Sequence, residues 1–358
     1  MLSPIGEVVH ISDCFAPRTG GIETQVGNLV VAQRQAGLSV RVITATTGGS
    51  LPGLQRVTAP IPFGLPVHPR TRHALVQALS NNRPGVVHIH MGATSPFAWG
   101  AVRAVRELNI PTVITVHSMW GALSRFGYHS ARSWLQGPPI IWSAVSDQAA
   151  VFVAQALGVP VSIMPNGISV DSWATQASSS PHLRVIGVMR MAPRKRVTAW
   201  LSIIGQVQRR HPEVSATLVG SGPLLTYAQK YSHRHGINVE FRGRLDHSQL
   251  IKEFADSDVF LQASIQESFG IAALEARAAG LVVLARTETG TASFIDSGIS
   301  GFLEESDAGL VNRLGALAQQ PDMVAAIKQH NQTPPSFDWS RLVDISHRLY
   351  LQAQRSVN

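Results

Sequence analysis

The sequence predicts an α/β protein made of two doubly wound domains that face each other across a cleft. Three observations carry the prediction. Short β-branched apolar runs alternate with longer amphipathic stretches. The alternation stops at a polar segment, residues 174–181, and then restarts. The 358 residues also exceed what one core usually holds, roughly 250. Strands that are apolar throughout, with a helix between each pair, imply a parallel sheet covered on both faces.

In the first half the strand-like runs are VVHI (8–11), VRVIT (40–44), VVHIH (86–90), TVITV (112–116), IIWSAVS (140–146) and VSIMPNG (161–167). Residues 23–37 between the first two have helical spacing, and Gly37 suits the left-handed residue that ends a helix. The second half repeats the pattern with LRVIGVM (183–189), SATLVGSG (215–222), NVEFRG (238–243), DVFLQAS (258–264) and LVVLAR (281–286). The expected domains are residues 1–168 and 182–337. Ligands of such sheets bind beyond the carboxyl ends of the strands, so the cleft is the expected site.

Composition narrows the class. With 44% hydrophobic and 15% charged residues the chain is globular rather than disordered. A single cysteine, Cys14, can form neither an internal disulfide nor a thiolate metal site, which suits a reducing compartment. No run of 18 apolar residues and no charged-then-apolar leader pattern occurs, so a cytoplasmic protein is expected. The net charge of +8 is uneven: residues 1–170 hold 11 Arg against 5 acidic groups, and residues 171–358 hold 19 basic against 17 acidic. Nucleic acid, an anionic membrane face, an anionic acceptor or simple solubility each fits that excess.

Several motifs carry chemistry. RTGGIE (18–23) follows a strand and opens a helix, so Gly20 and Gly21 would let backbone N–H groups approach an anion. No Walker sequence occurs. In ESFGIAALE (267–275), Ser268, Phe269, Gly270 and Ile271 would present consecutive N–H groups at a helix start, with Glu267 at the loop mouth and Glu275 two turns down. Carboxylates in such places accept two sugar hydroxyls at once. Arg190 and Lys195, in RMAPRKR (190–196), follow a strand and suit a diphosphate, and GSG (220–222) adds a further glycine loop at Gly220. His88 and His90 share a strand face and His117 ends a later strand. Those three are read as hydrogen-bonding groups, with a zinc site as the alternative.

Taken together, these pieces resemble glycosyltransferase family 4, a retaining family with the GT-B fold of two Rossmann-like domains. The matching segments are GGIE (20–23), HIH (88–90), TVHSMW (115–120), AVSD (144–147), MPNGI with Asp171, the Arg190–Lys195 spacing, LVGSGP (218–223), FRGR (241–244) and ESFGIAALEARAAG (267–280). The resemblance implies that Arg190 and Lys195 hold the donor diphosphate. It also implies that Glu267 and the backbone of Ser268–Ile271 grip the transferred sugar, and that Glu275 bonds the nucleotide ribose. Gly20 and Gly21 would close over the pyrophosphate, His117 would lie near the donor sugar, and Arg242 and Gly243 would meet the base through backbone groups. Arg196 stands where the family often has glycine, so Arg194 or Arg196 is expected to share the phosphate. DWSRLVDISHRLYLQAQR resembles the family's last helix, which assigns 338–358 to the N-terminal domain.

The implied function is retaining, metal-independent hexosyl transfer. The donor would be a UDP- or GDP-sugar co-substrate, with no other cofactor, and the acceptor a hydroxyl on a glycan, lipid-linked or phosphate-bearing molecule. Rival readings are a non-catalytic sugar-nucleotide binder and a sugar-nucleotide epimerase on the same fold. No nucleic-acid partner is expected. The basic segment 68–83, with Arg70, Arg72 and Arg83 beside Leu75, Val76 and Leu79, is expected to favour peripheral contact with the inner membrane face.

Overall fold

The computed structural model describes residues 5–18, 20–59, 68–175 and 180–357. It divides into two compact units, Met1–Gly167 with Phe337–Asn358, and Ile168–Ser336. Of the polar segment 174–181, residues 176–179 lie outside the described residues.

The first unit is built on β1 (Val8–Ser12), β2 (Val40–Thr44), β3 (Leu54–Arg56), β4 (Val86–Met91), β5 (Thr112–Val116), β6 (Ile140–Ala144) and β7 (Val161–Ile163). They form a parallel seven-stranded sheet in the order β3-β2-β1-β4-β5-β6-β7. Around it lie α1 (Gly21–Gln35), α2 (Thr71–Asn81), α3 (Pro96–Glu107), α4 (Ala122–Ser130), α5 (Arg132–Leu135) and α6 (Asp147–Leu157). Every residue of β1, β4 and β5 is buried, which explains why these runs lack the alternation of a half-exposed strand. Gly37 just beyond α1 has φ +87°, the conformation that only glycine adopts freely.

The second unit holds β8 (Arg184–Val188), β9 (Ser215–Val219), β10 (Glu240–Gly243), β11 (Val259–Leu261), β12 (Val282–Arg286) and β13 (Gly301–Glu304). Its parallel six-stranded sheet runs β10-β9-β8-β11-β12-β13. Its helices are α7 (Val197–Gln208), α8 (Leu225–Arg234), α9 (His247–Ala255), α10 (Ile271–Ala278), α11 (Asp307–Ala318) and α12 (Pro321–Asn331). The core gathers Val185, Trp200, Leu218, Leu261, Leu284 and Leu314.

The last helix, α13 (Trp339–Arg355), packs on α1 and on β4, β5 and β6 of the first unit. Asp338 caps it by accepting from the Arg341 N–H at 3.1 Å. Leu342, Val343, Leu349, Tyr350 and Ala353 face inward, among Val26, Leu29, Val30, Val113 and Met164. In each sheet the strand order reverses once, between β1 and β4 and between β8 and β11. The carboxyl ends flanking a reversal leave a crevice that connections on opposite faces cannot fill, and ligands bind there.

Candidate active site

In the second unit the residues after β8 and β11 meet at the reversal point. Lys195, ending a short 3-10 turn (Pro193–Lys195), forms an ion pair with Glu267. Arg190 is exposed and pairs with no carboxylate among the described residues. Gly270 has φ +92° and starts α10 without a side-chain cap, so the first N–H groups of that helix have no intrahelical partner. A Cβ there would lie 2.4 Å from Thr291 Oγ1, so both space and backbone angle require glycine. The Gly290 N–H donates to the Glu267 carbonyl at 2.7 Å, and buried Phe269 packs on Phe294. Phe269 is thus a floor for the loop, and the polar surface offered to a ligand is backbone.

Glu275 lies just over one turn into α10, and burial pushes its carboxyl up to about 8. No hydrogen bond or ion pair reaches that carboxyl among the described residues. A desolvated, unpaired acid next to an uncapped helix start is destabilising unless a ligand completes it.

Two expectations change here. Arg196 is not a phosphate cation. Its guanidinium donates to both oxygens of Asp307 at 3.0 and 2.7 Å and to the Ala263 carbonyl at 2.8 Å, and its bond holds the Asp307 carboxyl below the usual range. Its φ is +52°, which explains glycine at this place in the family and costs an L-residue about 1–2 kcal/mol. Second, Gly220 does not offer its N–H to an anion, because that group donates to the Gly243 carbonyl at 2.7 Å. Its glycine is required because a Cβ would meet the Met189 carbonyl oxygen at 1.9 Å. Arg242 is held by Glu240 and Glu253 at 2.8 and 2.9 Å, and Gly243 has φ +66°.

One Asp-x-Asp triplet, the pattern by which many transferases hold a metal, does occur at Asp256-Ser257-Asp258. It precedes β11, at the end of the sheet opposite the strand carboxyl ends. The Asp258 oxygens accept from Arg184 at 2.9 and 3.0 Å and from Lys328 at 2.6 Å. Burial pushes that carboxyl up, and the two cations outweigh it and hold it below the usual range. The triplet is therefore a structural ion cluster.

In the first unit, His88 and His90 face the same way from β4, and β1 adds His10 beside them. Among the described residues, His10, His88 and His90 are the group whose nitrogens lie within 4.8 Å of one another, so the triad weighed for zinc, which had His117, is not the one assembled. Their nitrogens bond to protein: His10 to His90 and Gln33, His88 to Tyr350 and Thr115, and His90 onward to His117 at 2.9 Å. Burial lowers all four imidazoles, His10 and His117 to about 4. The adjoining cavity, about 10 Å³, has room for at most one water. Sequence reasoning missed His10, although VVHI and VVHIH have the same spacing.

It also missed Asp13, directly after β1. This buried carboxyl, pushed up to about 6 by burial, accepts from the Phe97 and Ala98 N–H groups at 3.0 and 3.3 Å and so caps α3. Gly20 is extended and precedes α1, again with no side-chain cap. On α2, Leu75 and Leu79 are fully buried, Arg72 pairs with Glu107 at 2.7 Å, and Arg83 donates to the Asn109 carbonyl. Leu75 and Leu79 therefore belong to the core.

Solved structures share this architecture. Anabaena HepE in complex with UDP-glucose superposes with a TM-score of 0.75 at 17% identity, over 97% of this chain and 100% of that one. A sucrose-phosphate synthase from Thermosynechococcus elongatus gives 0.76 at 17%, over 97% and 98%. Two parallel Rossmann-like sheets of seven and six strands define a GT-B glycosyltransferase fold. Two family models match in sequence, Glycosyltransferase Family 4 over residues 19–172 and Glycosyl transferases group 1 over residues 176–333. The chain belongs to glycosyltransferase family 4. It is 26% identical to a glycogen synthase of Mycobacterium tuberculosis, over 76% of this chain and 70% of that protein. It is also 24% identical to the GDP-mannose:cellobiosyl-diphosphopolyprenol alpha-mannosyltransferase of Komagataeibacter xylinus, over 97% and 93%. No helix among the described residues is long and apolar enough to cross a membrane.

Proposed function

We propose that this glycosyltransferase moves a hexosyl unit from a UDP- or GDP-sugar to a hydroxyl acceptor with retention of configuration, and without a bound metal or other cofactor. The observation that carries the reading is the grouping of Lys195, Glu267, exposed Arg190 and the uncapped start of α10 at the carboxyl ends of β8 and β11.

As the bond from the anomeric carbon to the phosphate oxygen stretches, negative charge grows on the departing nucleoside diphosphate. Arg190, Lys195 and the Gly270–Ile271 N–H groups are fixed donors for that charge and need no reorganisation during the reaction. Glu267, positioned by Lys195, accepts from sugar hydroxyls, and Glu275 accepts from the ribose. The acceptor oxygen bonds to the anomeric carbon on the face the phosphate leaves, and its proton passes to the departing phosphate oxygen. The acceptor is a glycan, lipid-linked or phosphate-bearing hydroxyl compound. Attraction of α2 to an anionic membrane would be electrostatic alone, since its leucines are buried.

The test is a radiolabelled-donor assay with and without acceptor, paired with thermal shift against UDP, GDP and their sugars. Transfer with retained anomeric configuration and stabilisation by one nucleotide is expected. Binding without transfer, or epimerisation of the donor alone, would overturn the reading.

A further inference from the structure

In the second unit, the sequence between Glu213 and Glu240 contains no acidic residue, and α8 lies within it. One face of that helix buries Ala228 and Ser232, and Tyr231 packs partly against the core. The other face is aromatic and basic. Tyr227, Lys230, Tyr231 and Arg234 follow the i, i+3, i+4, i+7 spacing that sets side chains in one row, and with Gln229 and His233 they line one open groove. Lys230 and Arg234 form no ion pair with any described residue.

The rings run along the helix. Tyr227 and Tyr231 have centroids 6.3 Å apart, and His235 stacks on Tyr231 at 4.1 Å. The His235 Nδ1–H donates to the Tyr231 carbonyl at 2.9 Å, which fixes the imidazole against the phenol. Tyr227 is 55% exposed, whereas the two tyrosines outside α8, Tyr128 and Tyr350, are buried. A ring left in water forgoes the gain of burying its area, and one already held by its neighbours loses little freedom when a ligand covers it.

We propose that this face of α8 binds an anionic glycan, with the rings carrying the C–H faces of successive sugars and with Lys230 and Arg234 taking carboxylate or phosphate groups spaced along the chain. The flat side of a sugar ring is a patch of C–H bonds with slight positive charge, which the negative face of an aromatic ring attracts. Sugar hydroxyls lie at the edge of that patch, where Gln229 and the tyrosine hydroxyls offer donors and acceptors. Three rings stand here against two fixed cations. A nucleic acid has a phosphate on every unit and needs cations tracking its backbone, whereas a glycan charged on only some of its sugars matches this balance. None of these residues belongs to the donor site, so the surface is additional to it.

The test is titration calorimetry of the full chain at low salt with a hyaluronan oligosaccharide, which carries a carboxylate on alternate sugars, and with dextran as the uncharged control. Saturable binding of hyaluronan and weaker binding of dextran are expected. Tyr227→Ala should weaken hyaluronan binding by about 3- to 10-fold, the range of one ring contact, and Tyr227→Phe should retain it. Lys230→Gln combined with Arg234→Gln should weaken it as much and flatten its salt dependence. All three side chains are exposed, so circular dichroism and the melting shifts given by UDP and GDP should match the parent in every variant. No binding, equal binding of dextran, or full affinity in Tyr227→Ala overturns the proposal. Loss of the nucleotide shift in Tyr227→Ala also overturns it, by making the helix part of the donor site. Tighter binding of a thymidine oligonucleotide or of anionic vesicles, lost in the same variants, would replace the glycan by a nucleic acid or a membrane.

Discussion

Replacing Glu275 with glutamine should make the protein more stable at alkaline pH and less active, and the size of the first effect follows from burial. The folded carboxyl holds its proton to about 8, against an ordinary 4.5. Between those values the folded state binds a proton that the unfolded chain has released, so stability falls as pH rises through the window and levels off above it. At about 1.36 kcal/mol for each tenfold change, the full displacement is worth about 5 kcal/mol. Glutamine does not ionise and removes this slope. One kcal/mol shifts melting by roughly 2–4 °C in a unit of this size, so the variant should melt about 10–20 °C above the parent at pH 9, less whatever water penetration relieves. At pH 4.5 the two should melt close together. Turnover should drop, because two ribose hydroxyls donating to the carboxyl favour its ionised form once nucleotide is bound, and an amide cannot ionise to accept both. The assay is differential scanning calorimetry of both proteins from pH 4.5 to 9, with and without nucleoside diphosphate. Parallel melting-versus-pH curves would refute the claim that Glu275 is a desolvated acid.

Arg190→Ala and Lys195→Ala should each lower turnover by about 10²-fold or more with circular dichroism unchanged, and near-normal rates in both would reject the diphosphate site. Turnover should persist in excess EDTA, since Asp258 is occupied by Arg184 and Lys328; complete loss restored by manganese would reject metal independence. Deleting 338–358 removes Leu342, Leu349 and Tyr350 from the first unit's core, each worth roughly 1.5–3 kcal/mol, so that unit should melt far earlier or fail to fold; unchanged melting would show that α13 is dispensable. Co-sedimentation with anionic vesicles should be weak and abolished by salt, because only electrostatic attraction of about 1 kcal/mol per arginine is on offer; equal pelleting with neutral vesicles would exclude this mode.

Much of the fold was legible because both sheets bury their strands on two faces, leaving unbroken apolar runs between helices. Where that signal fades, so does the reading. β3 is a three-residue edge strand of half-buried residues, and β13 is four residues with a glycine at its start, so neither shows as an apolar run. The apolar stretch at 161–167 continues past the end of β7 because Met164 enters the core beyond the strand. In α2 the arginines are visible in sequence, but the direction of the leucines between them is not, and the structure buries Leu75 and Leu79.

The segment 190–196 shows why the site was only partly readable. Residue type placed four cations there, and nothing in that list distinguishes them. The distinction comes from one backbone angle. At Arg196 φ is +52°, so the chain turns at this residue into α7, and the Arg196 side chain is sent to Asp307 and the Ala263 carbonyl. Lys195, one position earlier in the 3-10 turn, is left paired with Glu267. A left-handed arginine is strained by about 1–2 kcal/mol, and three charge-assisted bonds offset that. Glycine would relieve the strain and forfeit the bonds. The departure from the family pattern is therefore matched elsewhere in the chain, by Asp307 at the start of α11 and by Arg286, which also holds Asp307 at 2.8 Å.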